Sequence, residues 1–279
     1  MIRSTTVVLL LTVLVTLPIQ THAGIILGFE PVWEEGATLG TPVSAGLSRD
    51  AVAGMEFVAV KGGCFKMGDT FGDGQNDEKP VHEVCVSDYS IGKYEVTQGQ
   101  WQKVMGSNPS SFSSCGDDCP VENVSWDDVQ GFLRKLNERR GGSVTRPYRL
   151  PTEAEWEDAA RSGGKQEKFS GSNDIDAVAW YGSNSGSKTH LVGRKQANGL
   201  GLYDMSGNVW EWVNDRYDSD YYGESPRDNP SGSTLDSYRV FRGGGWYNDP
   251  ARVRASLRSY IALGLRYDNL GFRLVAPVK

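Results

Sequence analysis

The residues of this 279-residue chain that chemistry could draw on are four cysteines, a set of arginines close to three consecutive glycines, and scattered acids. In FRGGGWYNDPARVRASLRS the glycines 243 to 245 are followed by Trp246 and Asn248, then by Arg252, Arg254 and Arg258. Glycines bring backbone close to a partner, and a guanidinium fork suits a carboxylate or phosphate. The same arginines equally suit ion pairs with the chain's own acids, and their spacing does not separate the two uses. No nucleophilic side chain follows the glycines, which makes Asn248 the puzzling residue of the segment.

The cysteines are Cys64, Cys85, Cys115 and Cys119. GGCFKMG and HEVCVSDY read as two strands with Phe65, Val84 and Val86 on one face. Cys64 and Cys85 then share the opposite face. SSCGDDCP closes a very short loop. The preferred pairing is therefore 64 with 85 and 115 with 119. The rival for the close pair is a metal or redox site, for which a lone CxxxC supplies too few of the four ligands a structural zinc takes. The acidic loop DTFGDGQNDEK does not match calcium-loop spacing at Asp69, Asp73 and Asp77, so a solvated loop is expected. His82 and His190 have no partner at metal-ligand spacing.

These groups need a scaffold. Three capping boxes predict helix starts, at Thr97 with Gln100, Ser125 with Asp128, and Thr152 with Glu155. Gly106, Gly141 and Gly163 stand where left-handed caps end such helices. Val129, Phe132, Leu133 and Leu136 form one apolar stripe on the second helix. Strands are expected at MEFVAV, HEVCVSDYSIGKYEV, YRVFRGGGW and GFRLV. Helices in the middle and strands at both ends make an α+β domain, with the terminal strands meeting in one sheet.

The first 23 residues place Arg3 before an apolar run of about a dozen residues, then end Thr21, His22, Ala23, as a cleaved secretory signal does. The run is shorter than the roughly 20 apolar residues that span a bilayer, and no later segment reaches that length. Residues 24–52 read as an N-terminal arm or linker, and 53–279 as the domain. The formal charge of −6 becomes −7 once Arg3 is removed with the leader, which argues against nucleic acid as a partner. An even number of cysteines fits an oxidising compartment.

The motifs GGCFKMGD, DEKPVHEV, YEVTQGQWQKVMG, NPSSF, PVENVSWDDV, YRLPTEAEWEDAAR, GLYDMSGNVWEW, RGGGW and NLGFRLV occur in this order. Together they resemble the formylglycine-generating enzyme family, or sulfatase-modifying factor domain. The resemblance implies a compact α+β fold related to the C-type lectin fold, with little regular secondary structure. Founding members of that family oxidise a sulfatase cysteine using copper held by two cysteines, the first lying three residues after a serine. Those serine and cysteine positions fall here on Gly245 and Asn248, and no cysteine follows Cys119. Copper(I) prefers thiolates, so copper and copper-dependent formylglycine formation are not expected.

Carried over from the family, DMSGNVWEW would hold a structural calcium through Asp204, Gly207, Val209 and Glu211, oxygen donors of the kind calcium takes. A glycine turn pinned by Trp210 and Trp212 is the other reading. A second family calcium site would involve Asn184, but its downstream aspartate is missing. Asn269 matches a polar residue lining the family's substrate groove, which groups it with Trp246, Asn248, Arg254 and Arg258. Two functions follow from the resemblance. One is a periplasmic or secreted enzyme acting on a peptide-like substrate by different chemistry. The other is a non-catalytic lectin-like module that binds a peptide, protein or glycan in a surface groove or serves envelope assembly. A deep pocket lined by Arg254, Asn248 and Asn269 would favour the first, and a shallow aromatic surface the second.

Overall fold

The computed structural model describes residues 47–140, 146–234 and 237–277. The expected leader, most of the arm and the glycine at 141 lie outside these residues. Strands β1 (Leu47–Arg49), β2 (Glu56–Val60), β3 (Gly63–Met67), β4 (His82–Val86) and β5 (Tyr89–Gly92) come first. Helices α1 (Gln98–Met105), α2 (Trp126–Arg140) and α3 (Glu153–Ala160) follow, with the one-turn α4 (Ile175–Val178). The last part holds β6 (Trp210–Arg216), the one-turn α5 (Tyr221–Glu224), β7 (Tyr238–Arg242), β8 (Arg258–Ala262), β9 (Leu270–Phe272) and β10 (Val275–Ala276).

One sheet has the order β1-β2-β5-β10 and another β8-β7-β6-β9, with β3 and β4 forming a separate hairpin. Early and late strands thus meet on β5, as the terminal patterning predicts. β1 corrects the expected boundary, because it lies inside the span read as an arm. It pairs with β2 from Leu47 opposite Val58, and the Asp50 carboxylate then accepts the amides of Val52, Ala53 and Gly54 to turn the chain. The ordered domain therefore starts before residue 53.

The helix ends obey local chemistry. Thr97 and Gln100 form a complete capping box, and Gly106 closes α1 in the left-handed region at φ 88°. Thr152 and Glu155 repeat the box on α3. Ser125 Oγ accepts the Asp128 amide while the Asp128 carboxylate accepts the Ser125 amide. The α2 stripe of Val129, Phe132, Leu133 and Leu136 is buried. Phe132 stacks on Trp101 of α1 at 5.2 Å between ring centres, and Phe272 meets both rings edge-on. A second core lies on the opposite face of β2, where Val58 and Val60 pack with Ile91 and with Trp156 of α3. Each such side chain contributes about 1.5–3 kcal/mol on burial.

Both cystines pair as expected. Cys64 faces Cys85 across β3 and β4 and is bonded to it, and Cys115 is bonded to Cys119. Among the described residues no helix is long and apolar enough to cross a membrane.

Candidate functional site

β7 runs into the glycine turn. Gly243 and Gly244 have φ of 96° and 75°, where a side chain is strained, and a Cβ on Gly244 would lie 2.4 Å from Val253 Cγ1 and 2.6 Å from the Arg252 carbonyl. These glycines therefore let the turn press against the 252–253 backbone. Asn248 closes the same turn: its Oδ1 accepts the Gly245 amide at 2.8 Å and its own amide donates to the Gly245 carbonyl at 3.0 Å. Its carbonyl accepts the Gly182 amide at 2.8 Å. A Cβ on Gly245 would stand 3.2 Å from Asn269 Nδ2 and 3.3 Å from Trp210 Cδ1, so Asn269 fills the space a serine there would need. Asn248 and Asn269 are 4% and 3% exposed, and neither faces a groove.

Arg254 and Arg258 also leave the expected groove. Arg254 grips both oxygens of Glu78 at 2.7 Å, and Arg258 grips those of Glu153 at 2.7 and 2.9 Å. Arg242 adds ion pairs to Glu153 and Glu157. All these side chains are buried. Burial alone would raise the Glu78 and Glu153 carboxyls, but the paired guanidiniums outweigh it and hold both below the ordinary range. The arginines are visible as a cluster in the sequence, whereas the acids that pair with Arg254 and Arg258 lie 176 and 105 residues earlier. Arg252 alone of the three remains exposed.

What faces solvent here is aromatic. Trp246 is held by its amide to the Asn208 carbonyl (2.8 Å), by Ser185 Oγ to its own carbonyl (2.7 Å), and by Nε1 to the Asp268 carbonyl (3.2 Å). Its ring meets Phe112 and Tyr247 edge-on at 5.4 and 5.3 Å, and Tyr247 is 54% exposed. Glu122 places Phe112 by accepting the amides of Ser111 and Phe112 at 3.1 and 2.9 Å. Burial pushes the Glu122 carboxyl up to about 7, against the pull of those amides.

Beside Phe112 opens a cleft of about 350 Å³, walled by Cys115, Lys188, Thr189 and His190. His190 stacks on Trp180 at 3.8 Å and sets Nε2 2.7 Å from the Ser185 carbonyl. Reading the sequence for chemistry passes over Phe112, Tyr247, Lys188 and Thr189. They come from three separate loops, and the only local signal is the tryptophan and tyrosine next to the glycines.

The DMSGNVWEW turn is buried and anionic. Both Glu211 oxygens are bonded by Arg273, at 2.6 and 2.7 Å, and Oε2 also accepts Trp156 Nε1 at 2.7 Å. Glu211 is thus not the free hard ligand that the sequence pattern implies. Asp204, at φ 57°, accepts the Gly193 amide with Oδ2 at 2.6 Å, while its buried Oδ1 has no partner. Glu95 lies in the same pocket and accepts from Asn208 Nδ2 and the Val209 amide. Burial raises Asp204 to about 6 and Glu95 well above the usual carboxylate range, the latter helped by the charges of Asp204 and Glu211. The fit to a cation therefore rests on Asp204 and its orphaned oxygen. No group of three or more His, Cys, Asp or Glu side chains among the described residues is arranged around a metal.

Asn184 spends its carboxamide on the Tyr181 amide, the Ala179 carbonyl and Asp176, which leaves it a turn staple rather than a ligand. The acidic loop is more structured than a solvated loop. Asp69 is buried and accepts the Gly72 and Gly74 amides at 2.8 Å, and Asp77 accepts the Tyr217 hydroxyl.

Residues 44–278 match the family described as the sulfatase-modifying factor enzyme 1-like domain. The chain is 36% identical to the chaperone protein LppX of Paenibacillus barcinonensis, over 83% of this chain and 94% of that one. It is 28% identical to the formylglycine-generating enzyme of Streptomyces coelicolor, covering 77% and 87%. Among solved structures, Treponema denticola variable protein 1 superposes with a TM-score of 0.74 at 34% identity, covering 84% of this chain and 99% of that one.

Proposed function

This chain belongs to the sulfatase-modifying factor family, and from that premise we propose that it is an exported, polypeptide-binding member that does not make formylglycine. Its fold is the compact α+β fold of formylglycine-generating enzymes, related to the C-type lectin fold. The observation that carries the reading is the glycine turn. Asn248 stands where the first copper-binding cysteine would be, and its carboxamide is consumed in holding Gly245. With both cystines formed and no free cysteine among the described residues, the thiolate ligands that the family's copper chemistry uses are lacking. The enzymatic alternative needs a pocket lined by Arg254, Asn248 and Asn269, and all three face inward. The half-buried Phe112 and Trp246 and the exposed Tyr247 support the binding module, since rigid aromatic rings give contact area at low entropic cost. The similarity to a protein named a chaperone supports a polypeptide partner. The leader expected at residues 1–23 supports a location in the periplasm or outside the cell.

Two assays test this. Incubation of the oxidised protein with copper and a cysteine-containing sulfatase peptide is expected to yield no aldehyde by mass spectrometry. Reduced, carboxymethylated α-lactalbumin serves as an unfolded-chain probe. Its binding, followed by fluorescence anisotropy, is expected to weaken about tenfold, or about 1.4 kcal/mol, in the Trp246→Ala, Tyr247→Ala double variant. Copper-dependent aldehyde, or binding indifferent to both substitutions, would overturn the reading.

Calcium belongs to the same proposal in a structural role. Asp204 would hold it with the Gly207 and Val209 carbonyls, and the ion would neutralise a pocket where three acids face one arginine. A chelator is then expected to lower the melting temperature by about 4 °C. Asp204→Asn should remove that response. A melting curve indifferent to chelator would retire the ion.

A further inference from the structure

The cleft beside Phe112 carries a feature that the aromatic surface alone does not use. Thr189 is 1% exposed, lines the cleft, and has a buried hydroxyl with no partner. A buried, unmet hydroxyl is costly to leave dry, so such a group in a cavity wall marks a place for a ligand atom. The cleft's lining residues include one lysine and no carboxylate. Lys188 stands on the wall, and both Lys188 and Lys195 act on His190 in the sense that disfavours its protonation. Burial is the larger cause that lowers His190, against the Ser185 carbonyl its ring faces, and the two lysines add to it. Of the two acids in the Cys115–Cys119 loop, Asp117 lies against Gly99 at the start of α1, while Asp118 is exposed and its carbonyl accepts the Val192 amide at 3.0 Å, so Lys188 has one acid in its neighbourhood to outweigh. The Cys115 sulfur rests 3.7 Å from the Thr189 carbonyl, so the cystine fixes the hydroxyl's backbone.

We propose that this cleft receives the carboxylate of an aspartate or glutamate side chain on the bound polypeptide, held by the Thr189 hydroxyl and the Lys188 ammonium, with Phe112 packed on its methylenes. The inference rests on the polypeptide-binding reading and gives it a residue preference: an acidic side chain set next to whatever covers Trp246. The hydroxyl donates to one carboxylate oxygen, a charge-assisted bond stronger than a neutral one. A glutamine offers one carbonyl acceptor and brings an amide toward Lys188.

The test is a titration of the ¹⁵N-labelled protein with blocked tripeptides, read from amide chemical shifts. Acetyl-Gly-Glu-Gly-amide is expected to give saturable shifts at Lys188, Thr189 and His190 with millimolar affinity, and acetyl-Gly-Gln-Gly-amide to bind at least about fivefold more weakly. Thr189→Val, which keeps the side chain's shape, and the exposed Lys188→Gln should each weaken the glutamate peptide at least about threefold, by the loss of one charge-assisted contact. Equal binding of the two peptides, shifts located elsewhere, or tighter binding of a free C-terminal carboxylate than of the glutamate side chain would overturn the proposal. The α-lactalbumin assay on the same two variants separates the levels. Binding that needs Trp246 but ignores Thr189 and Lys188 refutes the carboxylate pocket and leaves the module standing. Glutamate-specific shifts without any α-lactalbumin binding refute the module and keep the pocket.

Discussion

Replacing Arg273 by alanine is expected to destabilise the domain by about 3–5 kcal/mol, the range seen when one partner of a buried pair is removed. Arg273 is wholly buried on the short segment between β9 and β10. It grips both oxygens of Glu211, and its Nη1 and Nη2 also donate to the carbonyls of Gly92 and Tyr203. Without it, Glu211 keeps only the Trp156 indole and shares a dry pocket with Glu95 and Asp204. Urea unfolding with the disulfides intact measures the loss. Arg273→Lys should recover only part of it, since an ammonium cannot span both oxygens and two carbonyls. A loss below about 1 kcal/mol for alanine would mean that the acids are protonated or otherwise compensated in the native state.

Acidification gives the second large effect. Burial raises five carboxyls above their ordinary values: Glu122 to about 7, Asp158 and Asp204 to about 6, and Glu95 and Asp215 well above the usual carboxylate range. A raised carboxyl holds its proton in the folded state after the unfolded chain has released it. Its stabilising contribution is complete below the unfolded value and is lost as pH rises through the folded one. Stability in metal-free buffer is therefore expected to fall between pH 5 and pH 8, by on the order of 3 kcal/mol. Glu78 and Glu153 behave oppositely, because their folded values are lowered. Their contribution is present above the unfolded value of 4.5 and disappears as pH drops below it. An optimum between about pH 4.5 and 6 follows. Urea midpoints that are level or rising from pH 5 to pH 8 would contradict it. Asp204→Asn should flatten the part of the curve near pH 6.

The sequence made legible those parts of the molecule that are decided within a few residues. Thr97 with Gln100 and Thr152 with Glu155 are capping boxes on sight, because both partners lie in one helical turn. The 64–85 cystine was readable because strand alternation places both sulfurs on the face opposite Phe65 and Val84. The site was far less legible. Arg254 and Arg258 stand next to the glycine turn, but their partners Glu78 and Glu153 arrive from elsewhere in the fold. Nothing local tells a buried guanidinium from a groove-lining one. Asn248 looked like an altered ligand and is a turn clasp, a role its carboxamide performs equally well. Thr189 and Phe112 have no sequence signature that joins them, since only the folded loops bring them to one cleft.

The placement of β10 also bears on how the protein is made. Val275 and Ala276 pair with Ile91 and Ser90 on β5, whose other edge holds β2. The first sheet is incomplete until the last few residues of the domain are in place, and Arg273, the counter-charge for the acid pocket, arrives with them. Contacts so distant along the chain carry a high loop-closure cost and form late. A nascent domain is thus kept pliant until its final strand has been synthesised, and on the proposed export route that lets it be threaded through a narrow translocation pore before it closes.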